Sequence, residues 1–293
     1  MTANSQHYNL GEVPHAYAGR CFALLTQHGK EAVIAPLLEP ALGCRVERVT
    51  GYDTDQLGTF TRDIPRLCTQ LDAARRKARI GMELAGVKHG LASEGSFGPD
   101  PFAGMFSWNV EVLILVDAEL GIEVFGIFQG PGRGGHALVG DGRALEDFAH
   151  KAGFPEHHLV LRPAHQDDTR IRKGIADWTT LAAAFAATQR ESASGKVFVE
   201  HDLRAHAHPE RMRNIRKAAE DLLRKIRTPC PACGCPGYAP TERIDGLLCA
   251  DCGAPTRETR AEVWACVRCT YRETRERSDR LTADPGRCDY CNP

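Results

Sequence analysis

Eight cysteines between 230 and 291 fall into four pairs of one spacing: Cys230 with Cys233, Cys249 with Cys252, Cys266 with Cys269, and Cys288 with Cys291. Two residues between cysteines fit a tight turn that aims both sulfurs at one centre, and a second such pair completes a tetrahedral thiolate cage. The pattern predicts two structural zinc sites of four cysteines each. The simplest assignment joins neighbouring pairs, the first two across Gly234 to Leu248 and the last two across Thr270 to Arg287, as two consecutive zinc ribbons. A cross-braced assignment, first pair with third and second with fourth, uses the same ligands and stays open. Cys235, just past a complete pair, reads as a spare thiol near the first zinc.

A second set of residues suits phosphate chemistry. Lys30 ends the turn Thr26-Gln27-His28-Gly29-Lys30, between a strand and a helix, where a helix start offers free N–H groups and a positive dipole end. Asp53 and Asp55 open a segment rich in hydroxyls and carboxylates that closes on Arg62. Glu94 and Ser96 lie in the turn-rich stretch Ser93 to Pro99, whose glycines let backbone amides approach a ligand closely. Together with Asp72, these carboxylates suit an oxygen-only cluster that holds magnesium beside a phosphate, or the base that activates water. They suit equally well turns that cap their own backbone. Lys30, Arg62 and Ser96 are the candidate phosphate contacts. Arg204 and His206 follow the last strand of the large domain, and ligands of open α/β sheets gather outside strand carboxyl ends, so both are assigned to substrate binding.

The elements that must position these groups can be read from periodicity. Gly19 to Leu25 and Cys44 to Val49 read as strands, with the helix between them shortened or broken by Pro36 and Pro40. Ile64, Leu67, Cys68, Leu71, Ala74, Ala78, Met82 and Ala85 recur at helical spacing, and the other face carries Arg62, Arg66, Arg75, Arg76, Lys77 and Arg79. Trp108 to Val116 and Ile122 to Phe128 form an antiparallel hairpin around Asp117 to Gly121. Ala144 to Ala152 and Ile175 to Thr188 read as helices, and His158 to Leu161 and Lys196 to Glu200 as strands. Pro209 opens a final amphipathic helix that carries Arg213, Arg216, Lys217, Arg224, Lys225 and Arg227.

This order predicts an α/β fold: a mixed sheet with a central antiparallel hairpin flanked by helices over residues 1–228, then a tandem zinc-ribbon domain over 229–293. With 42% hydrophobic residues in 293, the chain can bury a full core, and a formal net charge of -1 gives no global attraction to nucleic acid or membrane. No apolar run approaches the ~20 residues of a membrane span. Cysteines crowded into metal-type pairs favour a reducing compartment, so a cytoplasmic protein is expected. The basic final helix leaves a protein or RNA partner open, although 230–293 holds nine Arg against ten Asp and Glu.

Two resemblances follow. Through Asp53-Thr54-Asp55 to Thr61-Arg62, Ser93 to Pro99, Asp202-Leu203-Arg204-Ala205-His206 and Asp284-Pro285-Gly286-Arg287-Cys288-Asp289-Tyr290-Cys291-Asn292-Pro293, nearly the whole chain resembles a bacterial family known as a domain of unknown function. In order of parts the N-terminal portion is similar to the inosine-triphosphate pyrophosphatase family. That family's phosphate turn falls on Thr26 to Lys30, with His28 in place of its Asn; its helix motif falls on Asp72-Ala73-Ala74-Arg75-Arg76-Lys77-Ala78; its acidic turn falls near Glu94-Gly95-Ser96. This resemblance implies a phosphorylated small molecule such as a nucleotide as ligand, and magnesium-dependent hydrolysis of it. The competing expectation is a non-enzymatic binding module with structural zinc.

Overall fold

The computed structural model describes residues 16–54 and 69–293. Asp55 and Arg62 lie outside the described residues, as do Ile64, Arg66, Leu67 and Cys68 of the expected long helix. Three sheets organise the rest.

The first sheet has the order β2-β1-β3-β4-β5, where β1 is Cys21–Leu25, β2 Arg45–Val49, β3 His89–Pro99, β4 Ser107–Asp117 and β5 Ile122–Pro131. β1 lies parallel to β2 and β3, and β3, β4 and β5 run antiparallel. Helices cover both faces. On one, α1 (Glu31–Leu42) and α5 (Pro209–Ile226) bury Leu24, Leu91, Leu113 and Leu115. On the other, α2 (Gln70–Ala85) lays Ala74 and Ala78 on Ala92 and Ile114. α5 crosses the sheet so closely at Gly126 that a Cβ there would overlap the Ala218 carbonyl.

α1 is one continuous helix despite Pro36 and Pro40. Both prolines stand four residues apart on its exposed side, so the carbonyls they leave unbonded can meet water while the buried side keeps Ile34, Leu38 and Leu42 in the core. Ser93 to Pro99 is likewise not a turn: it is the outer half of β3, paired residue by residue with β4. Its small polar residues are tolerated in a strand because polar side chains of α2 and α5 meet them there.

Where one mixed sheet was expected, the α/β region holds two. The second is antiparallel, in the order β6-β9-β7-β8, with β6 His136–Val139, β7 Leu159–Pro163, β8 Arg172–Ile175 and β9 Val197–His201. α3 (Gly142–Ala152) and α4 (Trp178–Glu191) pack against it around Leu145, Leu161, Leu181 and Val199. The first sheet stops at β5 because α5 caps that edge. Asp221 accepts from the Ile127 N–H at 3.0 Å and Lys225 donates to the Phe125 carbonyl at 2.8 Å, which removes groups a further strand would need. Asp177 caps α4, so that helix starts at Trp178 and the residues before it form β8.

The third sheet is β10-β11-β12: Ala239–Asp245, Thr259–Ala265 and Arg272–Glu276. It is docked on the first sheet. Cys235 is buried in the core that holds Tyr17 and Ile226, and the Gly237 N–H donates to the Lys225 carbonyl at 3.2 Å. No described helix is long and apolar enough to cross a membrane.

Candidate functional site

Two groups of four thiols converge, and their partners are interleaved. Cys230 and Cys233 meet Cys266 and Cys269, while Cys249 and Cys252 meet Cys288 and Cys291. The pairing of neighbouring pairs is therefore corrected to the cross-braced one. Strand register is the cause. β10 and β11 are antiparallel with Ala239 opposite Ala265, so the turn before β10 lies beside the turn after β11. The second pair sits in the β10–β11 connection at the far end, where Ala283 bridges Cys249 and brings the tail pair in.

The geometry suits a metal ion. The sulfur separations are 3.7 Å for Cys230 to Cys269 and for Cys233 to Cys266, 3.8 Å for Cys249 to Cys291 and 3.6 Å for Cys252 to Cys288. A tetrahedron with Zn–S bonds of about 2.3 Å has edges of about 3.8 Å. Gly234 and Gly253 follow the first two pairs at φ of 70°, the left-handed conformation that closes each turn. Cys235 belongs to neither group and is the unligated thiol expected beside the first.

The second candidate lies where the carboxyl end of β1 meets β3 and the segment after β9. Lys30 precedes α1, is 8% exposed, and donates from Nζ to the Ser93 carbonyl at 2.6 Å. Burial pushes its ammonium down to about 8, with Glu94 and Glu111 opposing and Arg211 and Lys77 adding to the shift. The Ser93 hydroxyl is buried and has no hydrogen-bond partner among the described residues. Lys77 of α2 pairs with Glu94. Gln70 donates to the Glu94 carbonyl at 2.8 Å and accepts from the Ser96 hydroxyl at 2.9 Å.

From the other side, the one-turn helix Ala205–Ala207 brings His206 to a ring-centroid distance of 4.9 Å from His28. Burial holds His28 down at about 3, reinforced by Lys30, His206, Arg204 and Lys77, so its ring is neutral. Arg204 is fixed on Asp202, whose two oxygens accept from its Nε and Nη2. Behind Ser93 and Gly95, Arg211 and Glu111 form an ion pair that is almost fully buried. Asn109 donates to Glu111 at 3.0 Å and accepts from Asn214 at 2.9 Å.

Of the residues expected from sequence, Lys30 and Glu94 are thus close enough to act on each other, with Ser96 beside Glu94 on β3, and Arg204 and His206 around His28. Asp53 stands 3.4 Å from Gln27 at the exit of β2. Asp72 serves the start of α2, accepting from the Thr69 hydroxyl and from Arg75, which itself reaches Glu123 on β5. Among the described residues the cysteine groups are the groups of three or more metal-type side chains that converge; Asp53, Asp72 and Glu94 do not assemble one. Gln70, Glu111 and Arg211 carry no sequence signal for this cleft, and Lys77 and Ser93 show in sequence only as part of a cationic helix face and of a turn-like stretch. Lys77 and Gln70 fall on the exposed side of a helical pattern, while Glu111 and Arg211 look like ordinary surface charges until β4 and α5 are brought together.

The model of a family described as Domain of unknown function (DUF6671) matches residues 77–293. The match takes in β3, α5 and all eight converging cysteines, and starts after Lys30, Asp53 and Asp72. No curated protein and no solved structure matches the chain, so the likeness in order of parts to inosine-triphosphate pyrophosphatases gains no support there.

Proposed function

The chain belongs to that family, whose description assigns no activity, and we propose from its own residues that the cleft between β1, β3 and the Ala205–Ala207 turn binds a phosphorylated small molecule such as a nucleotide. One observation carries this reading. Lys30 spends one of three N–H donors on the Ser93 carbonyl, and the buried Ser93 hydroxyl beside it has no partner among the described residues. Buried polar groups left unsatisfied cost about 1–3 kcal/mol each, and an anionic ligand's oxygens would supply the acceptors. The surrounding charges agree: Lys77 pairs with Glu94, Arg211 with Glu111 and Arg204 with Asp202, and among the described residues no carboxylate stands within ion-pair distance of Lys30.

The two cysteine groups are proposed to hold structural zinc, and free thiols used this way suit a reducing, cytoplasmic setting. α5 is read as a structural helix more than a nucleic-acid face. Arg211 is buried, Arg224 and Lys225 both reach Asp221, and Arg216 reaches Glu220.

Hydrolysis with magnesium is a further step that binding does not require. The experiment is phosphate and pyrophosphate release from standard and deaminated nucleoside triphosphates with magnesium, alongside ligand-induced shifts in melting temperature. A melting shift that Lys30→Met abolishes supports the binding site. Release that Glu94→Gln abolishes extends the reading to a hydrolase, whereas neither a shift nor release from any member of the panel refutes it.

A further inference from the structure

The turn joining β3 to β4 builds a second site. Asp100 accepts four backbone N–H groups: Phe102 at 3.0 Å and Ala103 at 2.7 Å on one oxygen, Met105 at 2.7 Å and Phe106 at 2.8 Å on the other. Its carboxyl is held far below the usual carboxylate range by these bonds. The turn is thereby fixed in a shape that leaves Phe102 85% and Phe106 66% exposed. Phe102 meets Trp108 edge-on with centroids 5.7 Å apart, and Phe106 lines the same hollow.

The three rings line an open hollow of 740 Å³ together with Arg133, Lys151 from the last turn of α3 and His201 from the end of β9. The volume is that of a small-molecule site. Its charge is one-sided. Asp100, the carboxylate in the lining, has both oxygens occupied by backbone N–H groups, and Arg133 stands 3.5 Å from Glu210. Lys151 has no ion-pair partner among the described residues. Aromatic rings and an ammonium without an ion-pair partner in one hollow select a planar apolar body that carries an acid group.

We propose that this hollow binds a small aromatic acid, its ring on Phe102, Phe106 and Trp108 and its acid group on Lys151. The site shares no residue with the Lys30 cleft and stands or falls independently of it. Asp100 is the positioning residue of the turn that carries Phe102 and Phe106.

The test uses the full-length, metal-loaded protein with anilinonaphthalene sulfonate as the acidic probe and phenylnaphthylamine as its uncharged counterpart, read by probe fluorescence. The expected result is one saturable sulfonate site per chain. Lys151→Gln weakens it about tenfold and leaves the uncharged probe unchanged, and Phe106→Ser weakens both. Both positions are exposed, so neither substitution disturbs the core. Sulfonate affinity unchanged in Lys151→Gln overturns the proposal. So does a concentration-dependent dimer in sedimentation that Phe106→Ser dissolves, since the rings would then be covered by a second copy of the chain.

Discussion

The ammonium of Lys30, just before α1, and the carbonyl of Ser93 on β3 are 2.6 Å apart, and the hydroxyl of the same serine has no partner among the described residues. A fold does not need this arrangement: alanine would pack in the strand without leaving an orphaned hydroxyl. Ser93→Ala is therefore expected to hold or raise the stability of the ligand-free protein, by up to about 1–3 kcal/mol, while weakening the phosphorylated ligand. Urea unfolding and ligand titration of the same variant check both halves. A loss of stability would mean that the hydroxyl is already satisfied.

The interleaved thiol groups separate cleanly from consecutive ones by chemistry. Cys233 is exposed, so Cys233→Ala removes a ligand without opening the core. Metal content is expected to fall from about two to about one zinc per chain. Cys230, Cys266 and Cys269 should then become open to alkylation together, with Cys249, Cys252, Cys288 and Cys291 protected. Exposure of Cys249 and Cys252 in place of Cys266 and Cys269 would restore the consecutive pairing.

Arg211 and Glu111 tie α5 to β4, with side chains 1% and 0% exposed. Breaking such a pair leaves a buried charge alone. Glu111→Ala is expected to cost about 3–5 kcal/mol in equilibrium unfolding, and the accompanying Arg211→Met to recover much of it.

Two histidines set an acid limit. His28 and His208 are both held down to about 3 from an ordinary 6.5, each first by burial; Lys30, His206, Arg204 and Lys77 act further on His28, and His157, His201 and Arg211 on His208. Between those values the unfolded chain binds protons that the folded chain does not, so their stabilising contribution is full above 6.5 and is lost as the pH falls toward 3. His208→Asn keeps a cap on the Arg211 N–H and should flatten that slope. Denaturant midpoints measured across this window test it.

What the sequence disclosed and what it hid follow one division. Local pattern was enough for the β4–β5 hairpin, for α3, α5 and the described part of α2, for the eight cysteines that converge and for Cys235 outside both groups. The partners of those cysteines were hidden, because the spacing of Cys230 and Cys233 is the same whichever pair they meet; the opposition of Ala239 and Ala265 decides it. Pro36 and Pro40 misled because their effect depends on which side of the helix faces water. Ser93 to Pro99 misled because glycine and serine read as turn residues until Arg211 and Gln70 are placed against them. The candidate cleft was half visible: Lys30, Glu94, Ser96, Arg204 and His206 were legible as polar groups beside strands, while Lys77 and Ser93 gained meaning through long-range contact.

The most direct measurement is a calorimetric titration of nucleoside triphosphates into the wild-type protein and into Lys30→Met, repeated as the pH is raised through 8. The account predicts one site per chain, weakened about tenfold or more in the variant. Wild-type affinity should fall as Lys30 loses its proton near 8, and the variant should lack that dependence. A titration in which Lys30→Met binds as tightly as the wild type, or in which neither binds any member of the panel, would contradict it.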